Sequence, residues 1–414
     1  MTPVEAVWVL AVYYNVRTVG RDAPLSLPEC GRLTYRYGMI CGHSSPIGWR
    51  WIVVLAGAAV LCCLPLLARA LPASVPGLTA RQLESRILSS QRLAFSGYAE
   101  SDANFGLPAL PAFASVTPLL DGVTRMRIWQ AAPDQWRVDA LSDTGENDTY
   151  QDGVNTFVWD SGEQLLTGVY GQQTVRLPRA ADLQPAALAI RIITEAGAFA
   201  KVGILPPQRV AGQSAAGFEI TPAAPQSTIA RADIWASPTS GLPLLVEVFA
   251  RGAAQPALET RFLQVGLWIP DPNVLTPQRG PGTGFTTTTP SDFADVLKNL
   301  DDELLPASLA GLGRQPSPVL QIGVYGDRAV AFAVLTFRRD TGRQLLQDAL
   351  DAGAARLAYR AGDGAVASAP LVNLVIVHPY RSPDTFLLVG LVSRATLEQA
   401  AGVLAAKPDQ DVDR

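Results

Sequence analysis

Four acidic residues stand close together in a part of the chain where paired carboxylates could do chemistry. They are Asp143, Glu146, Asp148 and Asp152. Carboxylates at such spacing can exchange protons with a substrate or ligate calcium. The segment is polar and lies between two predicted strands, where acidic side chains commonly solvate a turn. We therefore interpret these four as turn residues, and we predict neither a metal site nor a cofactor.

Cysteine and histidine offer little further chemistry. The two histidines are His43 and His378, and the four cysteines all precede Pro65: Cys30, Cys41, Cys62 and Cys63. The chain after Pro65 can therefore hold no disulfide, no thiolate nucleophile and no cysteine-ligated metal. A serine–histidine–aspartate triad would depend on His378, which we interpret as a surface histidine. We predict a protein that is not an enzyme. The alternative is a cell-wall glycan hydrolase, which needs two carboxylates about 5–10 Å apart in a cleft.

Apolar side chains on alternating strand positions are better candidates for a binding role. Five tryptophans fall in predicted strands, where they could stack on glycans, line an apolar cavity or pack the core; they are Trp129, Trp136, Trp159, Trp235 and Trp268. A curved sheet covered by two helices leaves an apolar face that side chains need not fill. The residues predicted to line such a cavity are Met126, Ile128, Trp136, Val138, Phe218, Ile220 and Ile234 from strands, with Leu188 and Ile192 from a helix.

The first domain is predicted over residues 78–272, as a large curved antiparallel sheet of nine or ten strands with two helices. Thr79 and Gln82 form a capping-box pair before the first helix. Pro185 and Gly197 mark the start and the end of the second. Period-two alternation between turn residues predicts an antiparallel meander. Its clearest strands are residues 123–129, 135–141, 215–221, 228–235, 244–249 and 258–268.

A smaller α+β domain is predicted over residues 291–406, after a linker at 273–290. Proline, glycine and threonine in the linker exclude regular structure there. Ser291 is predicted to cap a helix, and residues 319–325 and 329–337 form a hairpin about Gly326 and Asp327. A helix around Leu345, apolar strands at 371–377 and 385–392, and a helix capped by Ser393 complete this domain.

One apolar run, residues 51–67, has about the length that a bilayer helix needs. Five arginines and three acidic residues precede it, so the positive-inside rule places residues 1–49 in the cytoplasm and the body across the membrane. Residues 50–70 are therefore predicted to be a single-pass anchor in the cell membrane. The alternative is a signal peptide, with the body secreted after cleavage near Ala70. The segment before the apolar run, residues 1–49, is long for a leader. Translation that started at Met39 would leave a short leader of conventional length.

The charge of the body argues against a nucleic-acid partner. After residue 70 the chain holds 27 basic and 34 acidic residues, and no basic stripe stands out. Nucleic-acid binding depends on such a stripe, because neutralisation of phosphates supplies most of the affinity.

Short motifs occur in a characteristic order through residues 94–272. They are Leu119-Leu120-Asp121-Gly122, Gln135-Trp136-Arg137-Val138-Asp139, Tyr150-Gln151-Asp152-Gly153, Val210-Ala211-Gly212 and Ser240-Gly241-Leu242-Pro243-Leu244. This region resembles the LolA-like domain of MucB/RseB-type bacterial envelope proteins, in its actinobacterial form. The resemblance implies a mainly β fold, a curved half-barrel with a helical lid, followed by a smaller α+β domain.

Motifs of the second domain are similar to those in the C-terminal domain of the same sigma-E regulators. They are Leu304-Leu305-Pro306, Val324-Tyr325-Gly326-Asp327 and Leu388-Val389-Gly390. Gram-negative members have a Val-Gly-Glu turn where this chain has Val389-Gly390-Leu391. The resemblance implies that this domain docks on a membrane partner, an anti-sigma factor. The predicted contact residues are Tyr325, Gly326, Gly390 and Leu391.

The function implied by the resemblance is non-enzymatic. In this family the half-barrel binds lipid acyl chains or lipoprotein, and the small domain contacts the partner. One alternative is a lipid or lipoprotein carrier that works with an ABC exporter. Another is a pure interaction module, whose half-barrel is packed solid and whose surface alone matters.

Overall fold

The structure is a computed structural model, and the residues it describes are 54–57, 73–106, 117–143, 145–171, 178–197, 200–280, 282–288, 305–316 and 322–406. Residues 54–57 are helical and exposed, and belong to a separate unit, Asn15–Pro72. In the part of the chain that the structure describes, no helix has the length and apolarity needed to cross a membrane. Residues 51–53 and 58–67 of the apolar run lie outside the described residues.

All elements named below belong to the other unit. Its helices are α1 (Ala80–Ser89), α2 (Thr117–Leu120), α3 (Ala180–Leu183), α4 (Pro185–Ala196), α5 (Pro272–Leu275), α6 (Arg339–Asp351) and α7 (Arg394–Ala405). The strands of the large domain are β1 (Phe95–Asn104), β2 (Asp121–Ala132), β3 (Gln135–Leu141), β4 (Glu146–Asp152), β5 (Asn155–Asp160), β6 (Leu165–Val169), β7 (Lys201–Val210), β8 (Gln213–Thr221), β9 (Ile229–Ala236), β10 (Pro243–Ala250), β11 (Leu258–Gly266) and β12 (Gly284–Thr288). Those of the small domain are β13 (Ser308–Leu309), β14 (Leu312–Gln315), β15 (Ile322–Asp327), β16 (Val330–Phe337), β17 (Ala355–Tyr359), β18 (Gly362–Ser368), β19 (Asn373–Pro379) and β20 (Thr385–Gly390).

The first twelve strands form one sheet in the order β12-β6-β5-β4-β3-β2-β1-β11-β10-β9-β8-β7. Every pair is antiparallel except β12 with β6. The sheet is strongly curved, since β7 approaches β11 although three strands separate them. The predicted fold class, a large curved antiparallel sheet with helices on one face and a smaller α+β domain, is confirmed.

Of the two lid helices, α1 begins at the predicted residue, and α4 both begins and ends at the predicted residues. The Thr79 hydroxyl accepts a hydrogen bond from the Gln82 backbone N–H, and the Gln82 side chain accepts one from the Thr79 N–H. Pro185 starts α4, where its missing N–H costs nothing, and Gly197 ends it with φ +70°. Both helices bury apolar side chains in one core with the inner face of the sheet; these are Leu83, Ile87, Leu188, Ala189 and Ile193.

The predicted linker contains a strand, so the expectation of no regular structure there is wrong. Residues 284–288 form β12, which pairs in parallel with β6 from Gly284–Leu165 to Thr288–Val169. The Arg279 guanidinium stacks 3.6 Å from the centre of the Phe285 ring. Threonine favours strands, and pairing with a distant strand, which local composition does not reveal, fixes this segment.

The small domain is an eight-stranded sheet of the described residues with one helix on each face. Leu345 of α6 shares a core with Leu335 and Ile376, whereas Leu397 of α7 packs in a cluster with Val334 and Val375. The β15–β16 turn is centred on Arg328 and Ala329, because Asp327 pairs with Val330; the predicted centre at Gly326 and Asp327 is wrong. The helix predicted after Ser291, with Phe293, Val296, Leu297 and Leu300, lies outside the described residues.

The two domains are joined by backbone and side-chain hydrogen bonds. Ser227 and Val392 form an antiparallel bridge. Beside it, the Thr228 N–H donates to the Leu391 carbonyl at 3.0 Å. The Thr228 hydroxyl donates to the Leu371 carbonyl at 2.5 Å. These bonds hold the end of β20 against the start of β9.

Candidate functional site

A cavity of about 110 Å³ lies between α4, the end of the large sheet and the small domain. One face of α4 forms its roof. Leu188, Arg191, Ile192 and Glu195 line it, at the three- and four-residue intervals that place side chains on one side of a helix. Ala196 adds to the same face at the end of α4. The cavity therefore takes its shape from a helix fixed at both ends by Pro185 and Gly197.

Its floor is one row of cross-strand neighbours. Ile220 of β8 pairs with Ala232 of β9, Ala232 with Val248 of β10, and Val248 with Leu258 of β11. All four line the cavity. Directly opposed side chains on adjacent strands point to the same face of a sheet, so the four form a continuous apolar surface. Ala232, the smallest of them, leaves room at its centre.

The small domain closes one side. Arg328 and Ala329 of the β15–β16 turn, Leu371 before β19 and Leu391 after β20 line the cavity with the residues above. Leu371 and Leu391 are the two residues whose carbonyls accept hydrogen bonds from Thr228. The joint between the domains therefore also fixes this wall.

Three of the nine residues predicted to form a ligand cavity, Leu188, Ile192 and Ile220, line it. The structure places the other six outside the lining. Met126, Ile128, Val138, Phe218 and Ile234 are at most 1% exposed, and Trp136 is half-buried against the same core. Helix α3 packs against β3, whereas α4 lies over β8, β10 and β11, and the cavity lies beneath α4. That a ligand contacts the six stays a prediction.

The four residues predicted to contact a partner do not form an exposed patch. Tyr325 is fully buried, and its hydroxyl donates to the Pro306 carbonyl at 2.7 Å. Gly326 and Gly390 are buried as well, and Leu391 lines the cavity. Partner contact through them stays a prediction.

Three charged side chains stand in the otherwise apolar lining: Arg191, Glu195 and Arg328. The Arg191 guanidinium lies 3.2 Å from the buried carboxylate of Asp182. The Arg328 guanidinium is 3.7 Å from Asp327, and both of these side chains are more than half exposed. A pair so exposed contributes little. Arg328 is the most exposed of the three, so it is the charged lining residue nearest to solvent.

A second cluster of ionisable groups lies on the other face of the sheet. Asp139 of β3 and Asp148 of β4 are paired in register, and both are at most 2% exposed. The guanidinium of Arg137 bonds to both, at 3.0 Å from Asp139 Oδ2 and 2.9 Å from Asp148 Oδ2. It also lies over the rings of Trp129 and Tyr150. Asp148 is among the acidic residues singled out from the sequence, whereas Asp139 and Arg137 are not. The strand alternation, which puts Arg137 and Asp139 on one face, was the available signal.

The environment of this cluster raises the pKa of both buried carboxyls. Burial raises the pKa of Asp148 to about 7; the charge of Asp139 raises it too, and Arg137 opposes the rise. Burial also raises the pKa of Asp139, against the opposing effect of Arg137. Asp148 Oδ1 is buried and has no hydrogen-bond partner among the described residues. A proton on Asp148 therefore relieves the repulsion between the two carboxylates.

This cluster also contains the one trio of described residues whose carboxylates converge as metal ligands would. Oxygen atoms of Asp139, Glu146 and Asp148 lie within 4.8 Å of one another. The cation among them is the Arg137 guanidinium, which also donates toward the Val274 carbonyl of α5 at 3.4 Å. The two aspartates are buried rather than set in a cleft, so the arrangement suits a structural ion pair better than acid–base work on a substrate.

The remaining candidates lie outside the cavity lining. His378 on β19 is half-buried, and its Nδ1 lies 2.8 Å from the Thr385 hydroxyl. Burial and the nearby Arg343 and Arg339 lower its pKa. Of the tryptophans, Trp235 is buried and donates to the Pro206 carbonyl, whereas Trp268 is 58% exposed. Trp136 packs against the core, and Trp129 lies beneath the Arg137 guanidinium.

The geometry defines a curved antiparallel sheet with a helical lid and a small α+β domain. No family model and no curated protein matches the chain. Among solved structures it is similar to MucB of Pseudomonas aeruginosa in complex with MucA, at 17% identity and a TM-score of 0.46, over 78% of this chain and 96% of that one. It is also similar to the LolA superfamily protein NE2245 of Nitrosomonas europaea, at 12% identity and a TM-score of 0.23, over 49% of this chain and 99% of that one. These neighbours are of the type that the sequence motifs predicted.

Proposed function

We propose that the protein is a non-enzymatic protein of the cell envelope that binds a lipid or lipoprotein acyl chain in the cavity beneath α4. The observation that carries the proposal is the row Ile220, Ala232, Val248 and Leu258 facing the apolar side of α4. Histidine, cysteine, serine and aspartate are absent from the described residues that line it. Such a lining suits sequestration of an apolar group better than a reaction.

The volume limits what the cavity holds in this arrangement. An apolar cavity of about 150 Å³ binds benzene, which has six carbon atoms. In proportion, this cavity of about 110 Å³ has room for about four carbon atoms. Burial of four methylene groups contributes a free energy of about 3 kcal/mol, at about 0.8 kcal/mol each. A complex with a millimolar dissociation constant already needs a binding free energy of roughly 4 kcal/mol. Tight binding of a long chain therefore requires α4 to move outward or the ligand to gain polar contacts at the mouth.

Lipid extraction and probe uptake by the purified full chain test the proposal. Organic-solvent extraction followed by mass spectrometry should recover acyl lipid, and the delipidated protein should take up a fluorescent fatty acid. Recovery of no lipid together with no uptake would contradict the proposal.

A matched pair of variants on α4 locates the site. Ala196→Trp places a large side chain in the cavity and should abolish uptake. Ala187→Trp makes the same change on the opposite side of α4, at a residue that does not line the cavity, and should leave uptake near the wild-type level. Equal uptake by both variants would place the ligand elsewhere.

The location in the envelope rests on the apolar run at residues 51–67 and on the arginines before it. A reporter enzyme that is active only outside the cytosol, fused after Arg414, should be active. Sequencing of the mature N-terminus distinguishes a retained anchor from a chain cleaved near Ala70. An inactive reporter would contradict an extracytoplasmic body.

The regulatory part of the proposal is that ligand occupancy alters how the small domain meets a membrane partner of the anti-sigma type; an ABC exporter is the alternative. Both domains line the cavity, so a ligand that fits one arrangement better will favour that arrangement. MucB, to which this chain is similar, was solved with MucA. Hydrogen exchange of residues 371–373 and 390–393 should slow when a fatty acid is bound, and unchanged exchange would contradict the coupling.

A further inference from the structure

We infer that the ligand of the cavity carries an anionic head group and that Arg328 binds it at the mouth; this inference rests on the proposed function. The guanidinium of Arg328 lies at the boundary between the apolar interior of the cavity and solvent. Arg328 lines the cavity, and its side chain remains 51% exposed. An acyl chain that enters the cavity would leave its polar end beside this guanidinium.

The backbone of the small domain holds Arg328 in place. Its φ of +55° lies in the left-handed region, which residues other than glycine seldom occupy. The same conformation occurs at Ala211 and Ala310, which also lie in two-residue hairpin turns, and it is imposed by the turn. Here the β15–β16 turn directs the arginine across the domain boundary to the end of α4. A Cβ atom added to Gly197 would lie 2.5 Å from Arg328 Nη1, so glycine at this position makes room for the guanidinium.

Of the two cations that line the cavity, Arg328 is the more exposed, with 51% of its side chain accessible against 25% for Arg191. Arg191 and Glu195 are four residues apart on one face of α4, where opposite charges offset each other. Arg191 also lies 3.2 Å from the carboxylate of Asp182. Arg328 has the exposed Asp327 at 3.7 Å as its ion-pair neighbour, a contact that an incoming anion can replace. A guanidinium presents a planar fork of donors that matches a carboxylate or a phosphate in bidentate fashion.

The head-group class can be measured with ligands that share one chain length. We would titrate the delipidated full chain with decanoate, decyl phosphate and decanol. Hydrogen bonds to charged groups predict roughly tenfold or more tighter binding for at least one anion than for decanol. The anion that binds more tightly identifies the preferred head group. Equal affinity of all three ligands would overturn this inference and leave the proposed function intact, whereas binding of none would overturn both.

Variants then assign the effect to Arg328. Arg328→Gln should weaken the preferred anion roughly tenfold and leave decanol unchanged, while Arg328→Lys, which keeps the charge, should retain part of the preference. Arg356→Gln, on the exposed edge strand β17, is the matched control and should change neither. Equal loss of anion and alcohol binding in Arg328→Gln would indicate a structural role and overturn the assignment. Rising salt should reduce the anion preference, because the contact is partly exposed.

Discussion

The carboxylates of Asp139 and Asp148 face each other across the β3–β4 pair, with both side chains buried. Like charges directly opposite on neighbouring strands destabilise a sheet. Arg137 offsets one of the two charges, and a proton on Asp148 removes the other. The stability of the large domain should therefore depend on pH near neutrality.

The sign follows from the pKa of Asp148. It is about 7 in the folded protein and near 4 in the unfolded chain, so the folded state binds more protons between pH 4 and 7. The contribution of this group to the free energy of unfolding should therefore fall as the pH rises from 4 to 7. The fall should amount to a few kcal/mol, because each unit of difference between the two pKa values corresponds to about 1.4 kcal/mol. The substitution Asp148→Asn keeps the shape of the side chain and removes its charge. It should therefore reduce the dependence of the free energy of unfolding on pH.

Urea unfolding of the wild type and of Asp148→Asn at pH 5 and pH 8 measures this effect. The difference between the two proteins isolates Asp148 from other titrating groups, such as His378, whose lowered pKa gives a slope of opposite sign below pH 6.5. The variant should gain stability relative to the wild type on going from pH 5 to pH 8. An identical difference at both values would contradict the prediction.

Gly390, predicted from the resemblance to contact a partner, has a packing role that can be tested. A Cβ at this position would lie 2.4 Å from the Cβ of Phe332 and 2.6 Å from the Ala331 carbonyl oxygen. Gly390→Ala should therefore lower the free energy of unfolding by about 1–3 kcal/mol through overpacking. Gly313→Ala, on β14 with open space around it, is the control and should change stability by less than about 0.5 kcal/mol. Equal unfolding midpoints for the two variants would contradict the packing role.

The joint between the domains depends on Thr228. Its hydroxyl and N–H bond to the carbonyls of Leu371 and Leu391, which line the cavity. Thr228→Val keeps the shape, deletes the hydroxyl bond and leaves a buried carbonyl short of a donor, at a cost of about 1–3 kcal/mol. Hydrogen exchange at residues 371–373 should accelerate and fatty-acid uptake should weaken. Thr287→Val, exposed on β12, should do neither, and unaltered exchange in Thr228→Val would show that the joint does not depend on this bond.

Local signals sufficed for the elements that carry the cavity, though not for the cavity itself. The capping box at Thr79, Pro185 and Gly197 around α4, and the alternation of β3 are encoded within a few residues. Alternation also identifies which side chains face the lid. It does not indicate which of these side chains meets a cavity, as Ile220 does, and which is enclosed by the core, as Met126 is.

The other failures share a cause, which is contact between residues far apart in sequence. Arg328, Leu371 and Leu391 reach the cavity from the small domain, more than 100 residues after α4. β12 becomes a strand through pairing with β6, although its own composition resembles a linker. Asp148 is distinguished from an ordinary turn residue by its cross-strand pairing with Asp139, which lies on another strand.

The position of β12 at the end of the large sheet bears on how the protein avoids aggregation. A bare edge strand presents unpaired N–H and C=O groups that another chain can adopt as a template. β12 covers β6 and exposes mainly threonine side chains. At the opposite edge β7 carries Pro206 and Pro207 where its register with β8 breaks, and proline offers no N–H to a further strand. At the β7 margin of the twelve-stranded sheet, self-templated growth is therefore disfavoured, whereas at the other end β12 takes over from β6 as the edge strand.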